Sequence, residues 1–370
     1  MLIAIGSWAQ TDYVRAKAKS GDGIYVLLGR YGLDRAACNL EMFCKLNNLT
    51  LKSTLIADKN YILPIEKHRF DGKSIHSSVD MKDLLLAKQV ERYNKTMQLF
   101  NLKTENGEIW CPYHMKACPP NPLSFVPSER NYPIFGKSFS EVQLADKKLA
   151  GAVYYLVSGH GGPDPGAMST EKGKQICEDE YAYDISLRLG LELLKHGAIV
   201  HFITEDSDGI RDLELLNCDA DETVLGGKAI PKDQKERLKQ RSELINSLYR
   251  KYKGRGVDYQ RTIEIHVDSR NKNQRVDLFF YYFPESTIGR SLAAVLHKTV
   301  KSKYDIYRKH DDYSGTISGR DLHVLREVIP TTVFIELANI QNAADRQRVI
   351  QPKNRQLLAE WLAEGLLKDY

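Results

Sequence analysis

Four side chains in this 370-residue chain stand at the ends of apolar runs, where a fold can hold reactive groups rigidly: His160, Glu178, His266 and Glu336. His160 lies in Ser158-Gly159-His160-Gly161-Gly162-Pro163-Asp164-Pro165-Gly166-Ala167, directly after Ala152-Val153-Tyr154-Tyr155-Leu156-Val157. A buried strand ending in a glycine-flanked histidine delivers an imidazole to the rim of a sheet, and the glycines leave room for a ligand. Glu178 opens the next helical stretch. His266, in Glu264-Ile265-His266-Val267-Asp268, ends a second apolar strand. Two histidines and a glutamate from three separate segments form the donor set of a hydrolytic zinc site, which keeps a fourth position for water. Glu336, in Thr332-Val333-Phe334-Ile335-Glu336-Leu337-Ala338-Asn339, ends a third such run. A carboxylate there is costly unless it has a partner. Beside a metal-activated water it could take a proton during attack and return it to a leaving amine. Alone, a histidine after a strand is more often packing and a buried glutamate more often a hydrogen-bond acceptor. The four together reverse that balance.

The elements that must position these groups alternate between strand and helix from about residue 150, which predicts an α/β fold with a central, mostly parallel sheet flanked by helices. Strands are expected at 152–157, 198–204, 262–267, 276–283 and 333–337. Helices are expected at 178–196, 233–251 and 287–300, with a further one marked by Leu357, Leu358, Trp361 and Leu362. Tyr181, Ile185, Leu189 and Leu193 recur every four residues on one face of the first helix, and Gly197 ends it. A long acidic and glycine-rich insert runs from about 206 to 232. Ahead of this domain, Val79 to Phe100 reads as an amphipathic helix and Tyr132 to Leu149 as a hairpin. The whole of 67–149 is expected to be a linker or extension without chemistry, with His114 at the surface.

Composition is that of an ordinary globular protein, 42% hydrophobic and 27% charged, with a modest net charge of +5. There is no clustered basic and aromatic stripe, so no nucleic-acid partner is expected. No stretch is long and apolar enough to span a membrane. Residues 1–19 read as the back end of an export signal or an extended N-terminus, with Ser7-Trp8-Ala9 before Gln10. The six cysteines contain no Cys-x-x-Cys, which argues against a zinc knuckle. Cys111 with Cys118, or Cys38 with Cys44, could bridge in an oxidising compartment.

Two resemblances follow from these motifs. Residues 20–66 resemble a LysM module, a small βααβ unit that binds N-acetylglucosamine-containing glycans, on Gly21-Asp22-Gly23-Ile24-Tyr25, Tyr31-Gly32, Leu46-Asn47-Asn48-Leu49 and Tyr61-Ile62-Leu63-Pro64. Residues 150–370 resemble the zinc-dependent N-acetylmuramoyl-L-alanine amidases of the Amidase_3 family. The likeness rests on Gly159-His160-Gly161-Gly162 with Asp164-Pro165-Gly166-Ala167, on Glu178 with Leu187-Arg188-Leu189, on Ile265-His266-Val267-Asp268, and on Phe334-Ile335-Glu336-Leu337 with Asn342. It implies Zn2+ held by His160, Glu178 and His266, and Glu336 as the catalytic carboxylate. The implied reaction is cleavage of the amide between muramic acid and L-alanine of the stem peptide. The implied partner is peptidoglycan, in the periplasm or cell envelope, with room for a protein activator.

The chain also departs from the family pattern. Val157-Ser158 stand where the family often has Asp-Pro, so a carboxylate orienting His160 is missing or comes from elsewhere. Glu180 competes with Glu178 as the ligand. Arg320 and His323 lie upstream of the Glu336 strand and could face a substrate groove, Arg320 holding a stem-peptide carboxylate. A metallopeptidase cutting within stem peptides, and a non-catalytic wall-binding protein, are the competing readings. Cleavage products separate the first; loss of a metal ligand would favour the second.

Overall fold

The computed structural model describes residues 12–370 except 35, 83, 104–106, 118–126, 128–129, 255–256 and 309–312. The chain divides into two compact units, Met1–Pro120 and Asn121–Tyr370.

The first unit runs β1 (Tyr13–Lys17), α1 (Ile24–Arg30), α2 (Ala37–Asn47), β2 (Asn60–Arg69), α3 (Ile75–Ser78), α4 (Leu84–Leu99), β3 (Glu108–Pro112) and α5 (Tyr113–Ala117). β1 and β3 both pair antiparallel with β2. Leu27, Leu28, Leu33, Phe43, Leu63 and Ile65 fill its core. The βααβ order expected of 20–66 is present, but its first strand is Tyr13–Lys17, ahead of the expected start. Residues 1–11 of the expected export remnant lie outside the described residues. The part of 67–149 up to 117, expected as a linker or extension with an amphipathic helix over 79–100, holds that helix as α4 and also supplies α3, α5 and the sheet strand β3. Val79, Leu86, Val90, Ile109 and Cys111 make a second small core there, a pattern too short and interrupted to read as a domain. His114, expected at the surface, is half-buried and tied inward: fully buried Asn39 accepts from its backbone N–H at 3.0 Å and reaches its Nδ1 at 3.0 Å.

The second unit contains β4 (Val153–Ser158), β5 (Met168–Glu171), β6 (Lys174–Cys177), α6 (Glu178–Lys195), β7 (Ile199–Phe202), β8 (Thr204–Glu205), β9 (Thr223–Val224) and β10 (Lys228–Ala229). It continues with α7 (Gln234–Lys253), β11 (Gln260–Asp268), β12 (Phe279–Tyr282), α8 (Thr287–Tyr307), β13 (Thr316–Gly319), α9 (His323–Glu327), β14 (Thr331–Asn339), α10 (Ala343–Ile350) and α11 (Pro352–Asp369). Six strands form one sheet in the order β13-β12-β14-β11-β4-β7. β14, β11, β4 and β7 are mutually parallel; β12 meets β14 antiparallel and pairs parallel with β13. The central strands β4 and β11 are buried almost throughout, as a sheet covered on both faces requires. Val153, Tyr155 and Val157 of β4 pack under Ile245 and Tyr249 of α7 and Val324 and Leu325 of α9. α6 and α8 pack along α11 on the other side. Polar groups inside this layer are paired: Tyr155 donates to Gln260 at 2.5 Å, Arg261 holds Asp369 at 2.8 Å, and fully buried Arg355 meets Asp184 at 2.5 Å.

Residues 132–149 do not form the expected hairpin: among the described residues they hold a single 3-10 turn at Pro133–Phe135 and one isolated bridge, Asn131 to Glu141. Neither expected disulfide forms, because Cys44 and Cys111 are free. Cys177 is bridged to Cys218, 41 residues on, and Cys38 is also disulfide-bonded. Cys118 lies outside the described residues.

Candidate metal centre

Parallel β4 and β11 both stop at the same edge of the sheet, and α6 begins there. This edge gathers the first three predicted residues. One ligand atom each of His160, Glu178 and His266 lies within 4.8 Å of the other two. Nε2 of His160 stands 3.3 Å from Oε2 of Glu178, and Nδ1 of His266 stands 2.9 Å from its Oε1. Donors around a four-coordinate zinc sit about 3.3 Å apart, so the set is already near the required size. The backbone N–H groups of Ala167 and Val267 donate to the two Glu178 oxygens at 2.8 and 2.9 Å and fix the carboxylate plane. Glu180, the competing ligand, is committed elsewhere: Arg211 holds its Oε2 at 2.7 Å and the Asp219 N–H its Oε1 at 3.1 Å.

The loop after β4 explains the glycine pattern. A Cβ on Gly159 would lie 2.2 Å from Cε1 of His266, inside the ring's own space. A Cβ on Gly166 would meet Glu178 Oε2 at 2.7 Å and the His160 ring at 2.8 Å. His160 itself adopts φ 63°, the left-handed region that side-chain-bearing residues rarely occupy and that clusters at functional sites. This turn folds the loop back so that Asp164 Oδ2 lies 3.0 Å from His160 Nδ1. The orienting carboxylate absent from Val157-Ser158 is therefore Asp164. Arg237 holds that carboxylate at 2.5 Å, and Arg241 donates to the His160 carbonyl. The hydrogen bond from His160, outweighing the effect of burial, keeps the Asp164 carboxyl far below the usual carboxylate range.

His266 is enclosed. Its ring stacks on Phe334 at 4.2 Å between centroids, and its Nε2 lies 3.1 Å from Oε1 of Glu264, two residues back on the same strand face. Burial alone would lower its pKa, but hydrogen bonds to Glu178 and Glu264 raise it to about 10. Glu336 is the register partner of His266 across β11 and β14, so the two stand side by side. Its Oε2 is buried and has no hydrogen-bond partner. Burial, with the nearby charges of Glu178 and Asp268, pushes its pKa up to about 8 against the pull of His266 and Arg270. A cation among the three ligands would draw it back down. An unpartnered carboxylate oxygen beside a two-histidine, one-glutamate cluster, with glycines cleared around it, fits a zinc hydrolase site.

Arg320 and His323 are not part of this cluster. Arg320 is exposed, with its guanidinium 5.0 Å over the Tyr281 ring, and His323 starts α9 with Nε2 3.3 Å from Ser242. Tyr281 and Phe279 lie opposite Phe334 and Glu336 on β14 and so share their face, and Arg270 covers Phe279 at 4.9 Å. Sequence reasoning missed Glu264, Arg237, Arg241 and Arg270. Only Glu264 carried a local signal, its period-two spacing from His266. Asn342, read with the Glu336 motif, caps α10 by accepting from the N–H groups of Ala344 and Asp345.

The family model Amidase_3, described as N-acetylmuramoyl-L-alanine amidase, matches residues 155–368. A germination-specific N-acetylmuramoyl-L-alanine amidase from Bacillus subtilis is 22% identical over 223 residues, covering 60% of this chain and 81% of that protein. Among solved structures, an N-acetylmuramoyl-L-alanine amidase from Clostridium difficile 630 is 23% identical with a TM-score of 0.43, covering 58% of this chain and 95% of the other. The catalytic domain of CwlV, an amidase from Bacillus (Paenibacillus) polymyxa, is 20% identical with a TM-score of 0.41, covering 58% and 96%.

Proposed function

The chain belongs to the Amidase_3 family of N-acetylmuramoyl-L-alanine amidases, and from that premise we propose that it is a zinc-dependent peptidoglycan hydrolase cutting the amide between N-acetylmuramic acid and L-alanine. The observation that carries this reading is the unpartnered Oε2 of Glu336 beside the His160–Glu178–His266 cluster. Zinc at this cluster supplies Lewis acidity toward the scissile carbonyl and an activated water. His160, Glu178 and His266 hold it, with Asp164 and Glu264 fixing the two rings. Glu336 accepts the proton of the attacking water at Oε2 and passes it to the leaving amine nitrogen. The Phe334 ring against His266 limits water on that side of the cluster.

Residues 150–370 are the catalytic domain in this reading, and the βααβ unit ahead of it is a LysM-like glycan-binding module. Exposed Tyr25 and Leu51, on α1 and in the loop after α2, are available for sugar contact. An extracytoplasmic location is supported by the Cys177–Cys218 bridge and the bonded Cys38, since such disulfides persist in oxidising compartments. Among the described residues no helix is long and apolar enough to cross a membrane.

Mass spectrometry of purified peptidoglycan incubated with the protein tests the proposal. Free stem peptides beginning at L-alanine are expected, and they should disappear with a chelator and with Glu336→Ala. Cuts within the peptide would replace this reading by a peptidase. Polymer binding without any product would replace it by a wall-binding role.

A further inference from the structure

The acidic insert, to which the amidase reaction assigns no role, converges on the first turn of α6. One oxygen each of Asp179, Glu180 and Glu222 lies within 4.8 Å of the other two. Asp219 and Asp221 join Glu222 in a second such group, and Asp206 and Asp208 join Glu180 in a third. The three groups share members and so form one continuous acidic centre. Arg211 neutralises Glu180 at 2.7 Å and Asp208 at 2.5 Å. Among the described residues Asp179, Asp206, Asp219, Asp221 and Glu222 make no ion pair. The α6 N-terminus favours negative charge, but that effect fades within the first turn and is too small for this many carboxylates.

Two independent features point to a ligand. Asp179 is 2% exposed, and its Oδ2 is buried with no hydrogen-bond partner. Asp206 has an Oδ2 in the same condition. Left ionised and bare in the interior, such an oxygen is unfavourable: without a cation, burial and the charges of Glu222 and Glu180 push Asp179 up to about 9, and a bound cation would take the place of that proton. The Cys177–Cys218 disulfide joins the residue before Glu178 to the residue before Asp219, and so holds the two acidic runs face to face. Burial and the charges of neighbouring carboxylates also push Asp219 up to about 7 and Asp206 to about 6.

We propose that Asp179 and Glu222, with Asp219 and Asp221 beside them, form a second cation site that takes Ca2+, Glu180 staying with Arg211 and the Asp219 N–H. The donors are all oxygen, with no imidazole or thiolate, which selects a hard ion over zinc. The site is wired to the catalytic loop: Glu222 Oε2 accepts from the Gly162 N–H at 2.6 Å, two residues from His160. Calcium there would brace the insert against the loop that carries the first histidine. The proposal does not depend on the identity of the metal at His160, Glu178 and His266.

The test is calorimetric titration of the full chain with CaCl2, MgCl2 and ZnCl2, with thermal unfolding in parallel and zinc content measured throughout. One Ca2+ per chain is expected, with Tm rising by about 5 °C or more at a hundredfold excess over Kd. Asp219→Asn with Asp221→Asn, both exposed and safe for folding, should weaken Ca2+ binding at least about tenfold and leave zinc content unchanged. Asp179→Asn should abolish the Ca2+ response while unfolding no earlier than the parent in calcium-free buffer, because a carboxyl that burial pushes up to about 9 is replaced by a neutral amide of the same shape. Absence of heat and of any Tm change at ~10 mM Ca2+ would overturn the proposal. So would Ca2+ binding undiminished in both variants, or a response to Zn2+ alone at these residues.

Discussion

Asp164 and His160 face each other across a four-residue turn, Oδ2 to Nδ1 at 3.0 Å. The contact leaves Nε2 as the nitrogen directed at Glu178. It therefore sets both the tautomer and the tilt of the ring. Replacing Asp164 by Asn removes the charge that holds the imidazole. Zinc affinity should fall about 10- to 100-fold, with kcat nearly restored at saturating zinc. Competition with a chromophoric chelator measures the first effect and product release at raised zinc the second. Unchanged zinc affinity would mean that Asp164 serves the loop through Arg237 and the Gly166 N–H and not the His160 ring.

Gly159 is predicted to tolerate no side chain. Its would-be Cβ lies 2.2 Å from one His266 ring atom and 2.4 Å from another. The ring is clamped by Phe334 on one side and by Glu178 and Glu264 at its nitrogens, so it has little freedom to move aside. Gly159→Ala should displace His266 and cost at least about 10²-fold in kcat/KM, as misplacement of a positioned group does. Metal content per chain should fall with it, while far-UV circular dichroism stays that of the parent. Full activity in this variant would show that the loop shifts readily.

These two residues also mark how far the sequence could be read. His160, Glu178, His266 and Glu336 were legible because each adjoins an apolar run that is itself a buried strand or the start of a buried helix. The role of Asp164 was not, since it depends on a left-handed histidine that reverses the chain; attention went upstream, to Val157-Ser158, instead. Arg237 and Arg241 reach the loop from α7, more than seventy residues away, with no local pattern to announce it. β13 is a short strand of mixed exposure whose Thr-Ile-Ser-Gly carries no alternation strong enough to stand out. In the first unit, Met97 of α4 and Trp110 of β3 join the core built by residues 14–65, a long-range contact with no local pattern, so 67–117 read only as a linker or extension.

The disulfide offers a third prediction. Near-neighbour cysteines looked like natural pairs, yet the bridge joins Cys177 to Cys218 across 41 residues. Closing a loop of that length restricts the unfolded chain. Cys218→Ser, or reduction, should lower stability by about 2–4 kcal/mol in denaturant titrations. Because Cys177 immediately precedes Glu178, zinc affinity should fall as well. Stability that is indifferent to reductant would show that the insert is held by its other contacts, such as the Tyr181 hydroxyl on the Glu214 carbonyl.

A final prediction concerns acid. His201 on β7 stacks against Tyr155 at 5.8 Å and lies 3.0 Å from the Tyr252 hydroxyl. Burial, helped by the charge of Lys251, lowers its pKa from 6.5 to about 4. An unfolded chain takes up a proton at this residue as pH falls below 6.5, whereas the folded protein does so only near 4. Between those values the unfolded state binds more protons, so stability must decline as pH drops through that window and is unaffected above it. The loss should reach about 2–3 kcal/mol near the lower end. His201→Gln keeps a polar side chain without the titration, so its stability should be lower at neutral pH but flatter between about pH 6.5 and 4. Urea titrations of both proteins across that range read the difference. Parallel profiles would show that His201 does not set the acid sensitivity; the Asp146–His196 pair cannot replace it in this window, because Asp146, lowered to about 2, loses its contribution only below the usual aspartate range.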